Sequence, residues 1–232
     1  MNRINHDREM RQEIEKRRGE EKLPRLLLHA CCAPCSSACL ERLLPYFAIT
    51  VFYYNPNIDE EEEYRKRAAE EQRLIGELNR LVRARDFDGM HFDDGVRPEE
   101  CAFREIAFIE GDYRPGDFLQ TVRGLEKEPE GGARCTACFR LRLRETAAVA
   151  AKLQVDYFTT TLTISPLKDA DRLNAIGRQA GAEAGVCFLA SDFKKREGFK
   201  RSIELSERFG LYRQDYCGCG FSRRERESAD NQ

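Results

Sequence analysis

Hydrophobic residues along the chain follow two alternating patterns. Short, nearly continuous apolar runs predict buried strands at 23–30, 49–54, 106–113, 155–163 and 186–191. Between these runs, apolar residues recur three and four positions apart, which predicts helices at 36–47, 59–82, 114–126, 136–153 and 168–185. The alternation predicts an α/β fold: a Rossmann-like, doubly wound, mostly parallel sheet with helices on both faces. Ligands of such sheets bind beyond the carboxyl ends of the strands.

The length of 232 residues fits one main domain with flanking segments. Residues 1–23 alternate basic and acidic side chains with little apolar content, so they are expected to form a solvated, partly helical extension. We therefore expect a charged N-terminal extension at 1–23, a single α/β catalytic domain at 24–222 and a polar C-terminal tail at 223–232. A polar, irregular insertion is expected at 85–104.

Charge and cysteine content narrow the class of protein. The net charge of −2 favours no partner, but residues 192–226 contain ten Lys or Arg against six Asp or Glu. The sequence has neither an 18-residue apolar run nor a signal-peptide pattern, so we expect a cytoplasmic protein without a membrane partner. In that reducing compartment, ten cysteines favour metal binding or redox chemistry over structural disulfides.

Two cysteine pairs carry the metal prediction. Cys31 and Cys32 end the first strand, and Cys135 and Cys138 form a C-x-x-C pair at the start of a helix. Vicinal cysteines do not reach ordinary disulfide geometry, whereas four thiolates suit an iron–sulfur cluster or zinc. The position of Cys31 at a strand end favours a redox-active cluster, with structural zinc as the alternative.

The other cysteines are either candidate site residues or residues with no expected function. Cys35 lies near a helix start, where the dipole stabilises a thiolate, so it could bind a second metal or contact substrate. The Cys217-Gly218-Cys219 pair could close into an easily reduced disulfide that relays electrons, or it could bind metal. Three further cysteines are expected to be packing or incidental residues: Cys39, Cys101 and Cys187.

Polar segments add candidate binding groups. His29 could act as a donor near the metal or as a proton donor, or it could be a buried, hydrogen-bonded histidine. The hydroxyl-rich segment 159–165 could bind a polar ligand or could reflect strand propensity. Aromatic and basic residues interleave at 193–196 and 199–201, which is typical of RNA or polyanion binding, although such a run can also be a solvated face.

Six motifs together resemble the QueH-type epoxyqueuosine reductases: LLLHACCAPCS, FYYNPNI, EPEGGARCTACFRLRL, DYFTTTLTISP, SDFKKREGFKRS and LYRQDYCGCGFS. They cover about residues 25–222 in the expected order. The resemblance implies a HUP-type fold and the final step of tRNA queuosine biosynthesis. That step is a two-electron reduction of the epoxide of epoxyqueuosine, at the wobble position of tRNA, with release of water.

The resemblance also implies roles for particular residues. Cys31, Cys32, Cys135 and Cys138 would bind a 4Fe-4S cluster. Cys217 and Cys219 would form a redox-active disulfide, re-reduced by an unidentified electron donor. Cys35, with Asp215 or Asp192, would be a candidate ligand of an additional mononuclear iron. Arg134, Lys194 and Lys195 would hold tRNA phosphates.

Two other functions remain as alternatives. One is a zinc-stabilised RNA-binding module without catalysis. The other is a tRNA-modifying enzyme of the HUP/ATP-pyrophosphatase class, such as a thiouridylase. The phosphate loop of the S-G-G-x-D-S kind is absent, and ACCAPCSS occupies its place. This absence disfavours ATP chemistry.

Overall fold

The computed structural model describes residues 4–17, 22–93 and 95–230. Its centre is a parallel sheet of five strands in the order β3-β2-β1-β4-β5. The strands are β1 (Arg25–Ala30), β2 (Ala48–Tyr53), β3 (Ala107–Glu110), β4 (Tyr157–Thr160) and β5 (Cys187–Phe188). All five predicted strands are present, and the α/β class is confirmed.

Eight helices are found in the described residues: α1 (His6–Lys16), α2 (Ala33–Leu43), α3 (Glu61–Ala84), α4 (Pro115–Thr121), α5 (Ala133–Leu153), α6 (Ala170–Ala184), α7 (Gly198–Arg208) and α8 (Gly220–Asp230). The five predicted helices correspond to α2 through α6. In that same part of the chain, none of the helices combines the length and apolar character needed to cross a bilayer.

Side chains of β1 alternate between two apolar layers. Leu26 and Leu28 pack in a core with residues of α1, α2, α3 and α7, while Leu27 packs with residues of α5 and α6. Because successive strand residues point to opposite faces, helices cover both sides of this central strand. That double burial explains why 23–30 is a continuous apolar run instead of an alternating one.

Helix α1 corrects the expectation of a solvated extension. The predicted helix is present, but one face of it is buried and includes Met10 and Ile14, which pack into the core. Asp7 on the same helix accepts a hydrogen bond of 2.7 Å from Arg42 of α2. These two apolar residues are four positions apart and lie among charged residues, so they form too short an apolar pattern to predict a buried helix face. Residues 1–3 and 18–21 of the predicted extension lie outside the described residues.

Two helices in the last third of the chain were not predicted. The buried face of α7 consists of small and polar residues with one leucine, namely Gly198, Ser202, Leu205 and Ser206, so it gives no apolar pattern. Helix α8 runs across the predicted boundary between the domain, which ends at 222, and the tail, which begins at 223. Cys187, expected in a buried strand, is exposed because β5 is a short strand at the sheet edge.

The strand order places a cleft at the centre of the sheet. From β1 the chain proceeds outward to β2 and β3, then returns to the other side of β1 to form β4 and β5. The connections after β1 and β4 therefore diverge, and a crevice opens beyond the carboxyl ends of these two strands. The residues that line this crevice are described next.

Candidate metal and redox site

Three cysteines come together directly after β1. Cys31 and Cys32 follow the strand, and Pro34 stands in the first turn of α2, which brings Cys35 round beside them. The three sulfur atoms all lie within 4.8 Å of one another, and the Cys31 and Cys32 sulfurs are 3.8 Å apart. Cys35 thus belongs to the same thiol group as Cys31 and Cys32, which we name the CCxxC group.

Charge is distributed unevenly within the CCxxC group. The thiols of Cys32 and Cys35 donate hydrogen bonds to Cys31, and with Lys168 and Arg142 nearby they hold the pKa of Cys31 well below its usual range. Donation to Cys31 raises the pKa of Cys32 to about 12, and it raises the pKa of Cys35 as well. These hydrogen bonds favour the thiolate form of Cys31 and the protonated forms of Cys32 and Cys35, so a metal that bound the latter two would displace their protons.

The turn after β4 holds Cys31 in place. The main-chain N–H of Cys31 donates to Thr161 Oγ1 over 3.2 Å, and the Thr161 hydroxyl lies 3.4 Å from the Cys31 sulfur. The neighbouring Thr159 and Thr160 are buried and donate to or accept from protein groups. Of the hydroxyls singled out in the sequence, Thr161 is thus the one with a hydrogen bond to the thiol group.

Cys135 and Cys138 line a second cavity beside the CCxxC group. Helix α5 begins after two glycines, and the N–H of Gly131 donates to the Cys135 sulfur over 3.2 Å. Burial raises the pKa of both thiols, that of Cys138 to about 11. The CCxxC group lines a separate but adjoining cleft, and the two cavities share five lining residues: Glu130, Arg142, Leu167, Lys168 and Cys217.

Cys217 borders both cavities, and Cys219 lines the cavity that holds Cys135 and Cys138. Their sulfurs lie 3.4 Å apart, with both thiols reduced. The thiol of Cys219 donates to Cys217 and, with Lys168, lowers the pKa of Cys217 to about 6 although the group is largely buried. The same hydrogen bond and burial raise the pKa of Cys219. Such a pair has one nucleophilic thiolate and one thiol held against it, as thiol–disulfide exchange requires.

Lys168 is a candidate site residue that the sequence analysis missed. It borders both cavities, and although burial opposes its charge, the sulfurs of Cys31, Cys217 and Cys35 hold its pKa above the usual range. The residue follows the turn after β4 by four positions. Lys168 follows the predicted strand 155–163 as Cys31 follows the first strand, and this shared position after a strand could have marked it as a candidate.

Arg142 of α5 forms a buried polar link beneath the cleft. It donates from Nε to His29 Nε2 over 3.3 Å and makes a second hydrogen bond to Asn55 Oδ1. Burial and the Arg142 charge lower the pKa of His29 to about 3, so this histidine is neutral. Of the two interpretations of His29, the structure supports the buried, hydrogen-bonded one.

The residues expected to bind phosphate or a second metal lie in different settings. Arg134 is buried, donates to the carbonyls of Glu126 and Glu128 and pairs with Glu225 over 2.7 Å, so its guanidinium does not face solvent. Lys194 pairs with Asp192 over 3.0 Å, and Lys195 is exposed. Asp215 lines the cleft of the CCxxC group, whereas Asp192 is not among the residues that line it.

The chain matches the family model described as Epoxyqueuosine reductase QueH over residues 26–225, a range that includes every cysteine of the two cavities. The chain belongs to the QueH family of epoxyqueuosine reductases.

Curated relatives carrying that name come from several bacteria. The relative from Streptococcus pyogenes serotype M1 is 39 % identical over 219 residues, which cover 94 % of this chain and 78 % of the relative. That from Staphylococcus epidermidis is 37 % identical over 221 residues, with 94 % and 84 % covered. That from Thermotoga maritima is 32 % identical over 204 residues, with 87 % and 91 % covered.

Proposed function

We propose that this chain is an epoxyqueuosine reductase that converts the epoxide of epoxyqueuosine in tRNA to the alkene of queuosine, acting in the cytoplasm. One observation carries the proposal: three cysteine segments distant in sequence line two adjoining cavities at the carboxyl edge of a parallel sheet. Membership of the family supports the same reaction. The strand order β3-β2-β1-β4-β5 agrees with a doubly wound, HUP-type fold, in which ligands bind at this edge.

The donor set fits an iron–sulfur cluster. Soft thiolates are its usual ligands, and hydrogen bonds from Cys32 and Cys35 lower the pKa of Cys31, which favours its thiolate form. We propose Cys31, Cys32, Cys135 and Cys138 as ligands of a 4Fe-4S cluster, with Cys35 and Asp215 available to an additional iron. Once bound, such a centre supplies electrons and a Lewis acid for the epoxide oxygen.

Cys217 and Cys219 can supply the two electrons and two protons that the reaction consumes. Reduction of an epoxide to an alkene breaks two C–O bonds, forms a C=C bond and consumes two electrons and two protons, releasing water. Oxidation of the two thiols to a disulfide releases two electrons and two protons. The sulfurs already lie 3.4 Å apart, so forming the S–S bond requires only a short approach. An external reductant of the disulfide would then return the enzyme to its starting state.

Protein prepared without oxygen and incubated with epoxyqueuosine tRNA and a chemical reductant tests the proposal. Queuosine, measured by mass spectrometry of the digested tRNA, is expected as the product. Cys135→Ser and Cys32→Ser should reduce both the iron and acid-labile sulfide content and the turnover. Cys187→Ser is the matched control, because Cys187 is exposed on β5 and lines neither cavity.

Different failures would have different meanings. Stoichiometric zinc without iron or sulfide, together with tRNA binding and no product, would replace the proposal by a zinc-stabilised RNA-binding module. Full iron content and full turnover in Cys135→Ser would overturn the ligand assignment while leaving the reaction in place.

A further inference from the structure

Two exposed apolar side chains stand on the rim of the cleft that holds the CCxxC group. Leu167 is 66 % exposed and Phe199 is 36 % exposed, and both line this cleft. Among the described residues, the large hydrophobic side chains exposed to this degree are Ile4, Leu119, Leu167 and Phe199. Half of them therefore share one rim, which is not the scattered distribution expected of incidental surface residues.

The backbone beneath Phe199 is held firmly. Phe199 is the second residue of α7, and its carbonyl accepts a hydrogen bond of 2.6 Å from Ser202. Arg201 pairs with the buried Glu41 of α2 over 2.8 Å, which fixes α7 against the helix that begins beside Cys35. The side chain of Phe199 lies outside the buried face of α7, so helix packing does not account for a phenylalanine here.

The lining of this cleft is cationic. Five basic residues border it, against the carboxylates of Glu130 and Asp215: Arg67, Arg142, Lys168, Arg213 and Arg226. Arg67 is buried, and its Nη2 has no hydrogen-bond partner within the described part of the chain. Cations around an exposed aromatic ring are the combination that binds single-stranded nucleic acid, through phosphate contacts and base stacking.

We propose that Phe199 is a stacking platform for a nucleobase of single-stranded RNA next to the reacting nucleotide, with Arg226 as a phosphate contact. The inference rests on the proposed function. A modified base must leave the base stack to reach the recessed thiols, and its neighbour then loses a stacking partner. An exposed aromatic ring at the mouth of the cleft replaces that partner, and the apolar surface of Leu167 extends the contact.

The test measures binding of a fluorescent anticodon stem-loop RNA to the intact, anaerobically prepared holoenzyme. Phe199→Ala is expected to raise Kd about 5- to 150-fold, the range given by the loss of one stacked base. Phe199→Tyr should restore affinity to within about 2-fold, since base stacking requires only an aromatic face. Leu119→Ala, which removes an exposed leucine that does not line the cleft, should leave Kd unchanged.

A second RNA that lacks the base beside the wobble nucleotide makes the test specific. Wild-type protein should bind this abasic RNA more weakly, and Phe199→Ala should bind both RNAs equally, because the two changes remove the same contact. Arg226→Gln should reduce the slope of log K against log salt by about one.

Two outcomes would overturn the proposal. One is that the loss of affinity caused by the abasic RNA and the loss caused by Phe199→Ala add together. The other is a Phe199→Ala enzyme that binds RNA with unchanged affinity but turns over more slowly with its protein electron donor. That result would make Phe199 a contact for the donor. Absence of RNA binding by the wild-type protein would instead contradict the proposed function.

Discussion

Asn57 Nδ2 donates a hydrogen bond of 3.2 Å to the main-chain oxygen of Cys217. This contact joins the turn after β2 to the loop that carries Cys217 and Cys219, across most of the length of the chain. The position of Cys217 and Cys219 therefore depends on a side chain in the first third of the sequence.

Loss of this contact should loosen the cysteine loop. We expect Asn57→Ala to lower the free energy of unfolding by about 0.5–1.5 kcal/mol, because the half-buried carbonyl of Cys217 loses its donor. The reaction rate of Cys217 with a disulfide reagent should change in parallel. Asn79→Ala is the matched control: Asn79 donates over 2.9 Å to the carbonyl of Ile106, and neither residue lines either of the two cavities. Equal effects of both variants on thiol reactivity would refute a specific role for Asn57.

Gly218 is expected to tolerate no side chain. Its φ is +109°, and a Cβ atom there would lie 2.7 Å from Ile58 Cγ1. Gly218→Ala should combine backbone strain of about 1–3 kcal/mol with a clash that displaces the loop. Gly124→Ala separates the two effects, because Gly124 has φ +82° and open space around it. Thermal unfolding and turnover of both variants check this, and a Gly218→Ala enzyme with normal turnover would contradict it.

Cys217 should be the reactive thiol of its pair. Its pKa of about 6 makes it mostly thiolate at pH 7, so its alkylation rate should reach half its maximum near pH 6. Removing a neighbouring positive charge disfavours the thiolate, so Lys168→Gln should move this midpoint upward. Lys195→Gln changes an exposed lysine outside the cleft lining, so it should leave this midpoint unchanged. Peptide mass spectrometry after timed alkylation gives both profiles, and equal midpoints in Lys168→Gln and wild type would exclude the lysine effect.

Glu71 should make the protein less stable as pH rises. The carboxyl is buried, and burial raises its pKa from 4.5 to about 8. The unfolded chain loses this proton first, so the stabilisation is full below pH 4.5 and is lost as pH rises to about 8. Between these values the free energy of unfolding should fall by up to about 1.4 kcal/mol per pH unit.

Glu71→Gln should remove this slope, since the amide does not titrate. Denaturant unfolding between pH 5 and pH 8 measures the slope. Glu62→Gln, at an exposed position of the same helix, is the control. A slope retained in Glu71→Gln would assign the pH dependence to other groups.

The fold could be predicted because its signal is local. The apolar run at β1 and the periodic helix α5 follow from burial of neighbouring residues, so each is readable within a short window. Helix α7 was missed because its buried face is built largely of glycine and serine. Helix α1 has only two apolar core residues among charges, and its packing depends on a partner, Arg42, on another helix.

The candidate site could be predicted only in part, because it depends on long-range contacts. The cysteine motifs were visible, but Cys35 was separated from Cys32 although Cys32-Ala-Pro-Cys35 is itself a C-x-x-C pair. The burial of Arg134 is set partly by Glu225, and the position of Lys168 beside Cys217 is set by tertiary packing. No local pattern encodes either relationship.

The separation of the cysteine segments along the chain also sets the order in which the site is made. Cys35 and Cys217 are about 180 residues apart. At about 5–20 residues per second, the later cysteine is synthesised roughly 10–40 s after the earlier one. During that interval the first thiols have no finished cleft around them, because the segment that carries Cys217 and borders both cavities has not yet been made. A chain terminated before Cys217 would carry the CCxxC group but would lack the segment that borders both cavities.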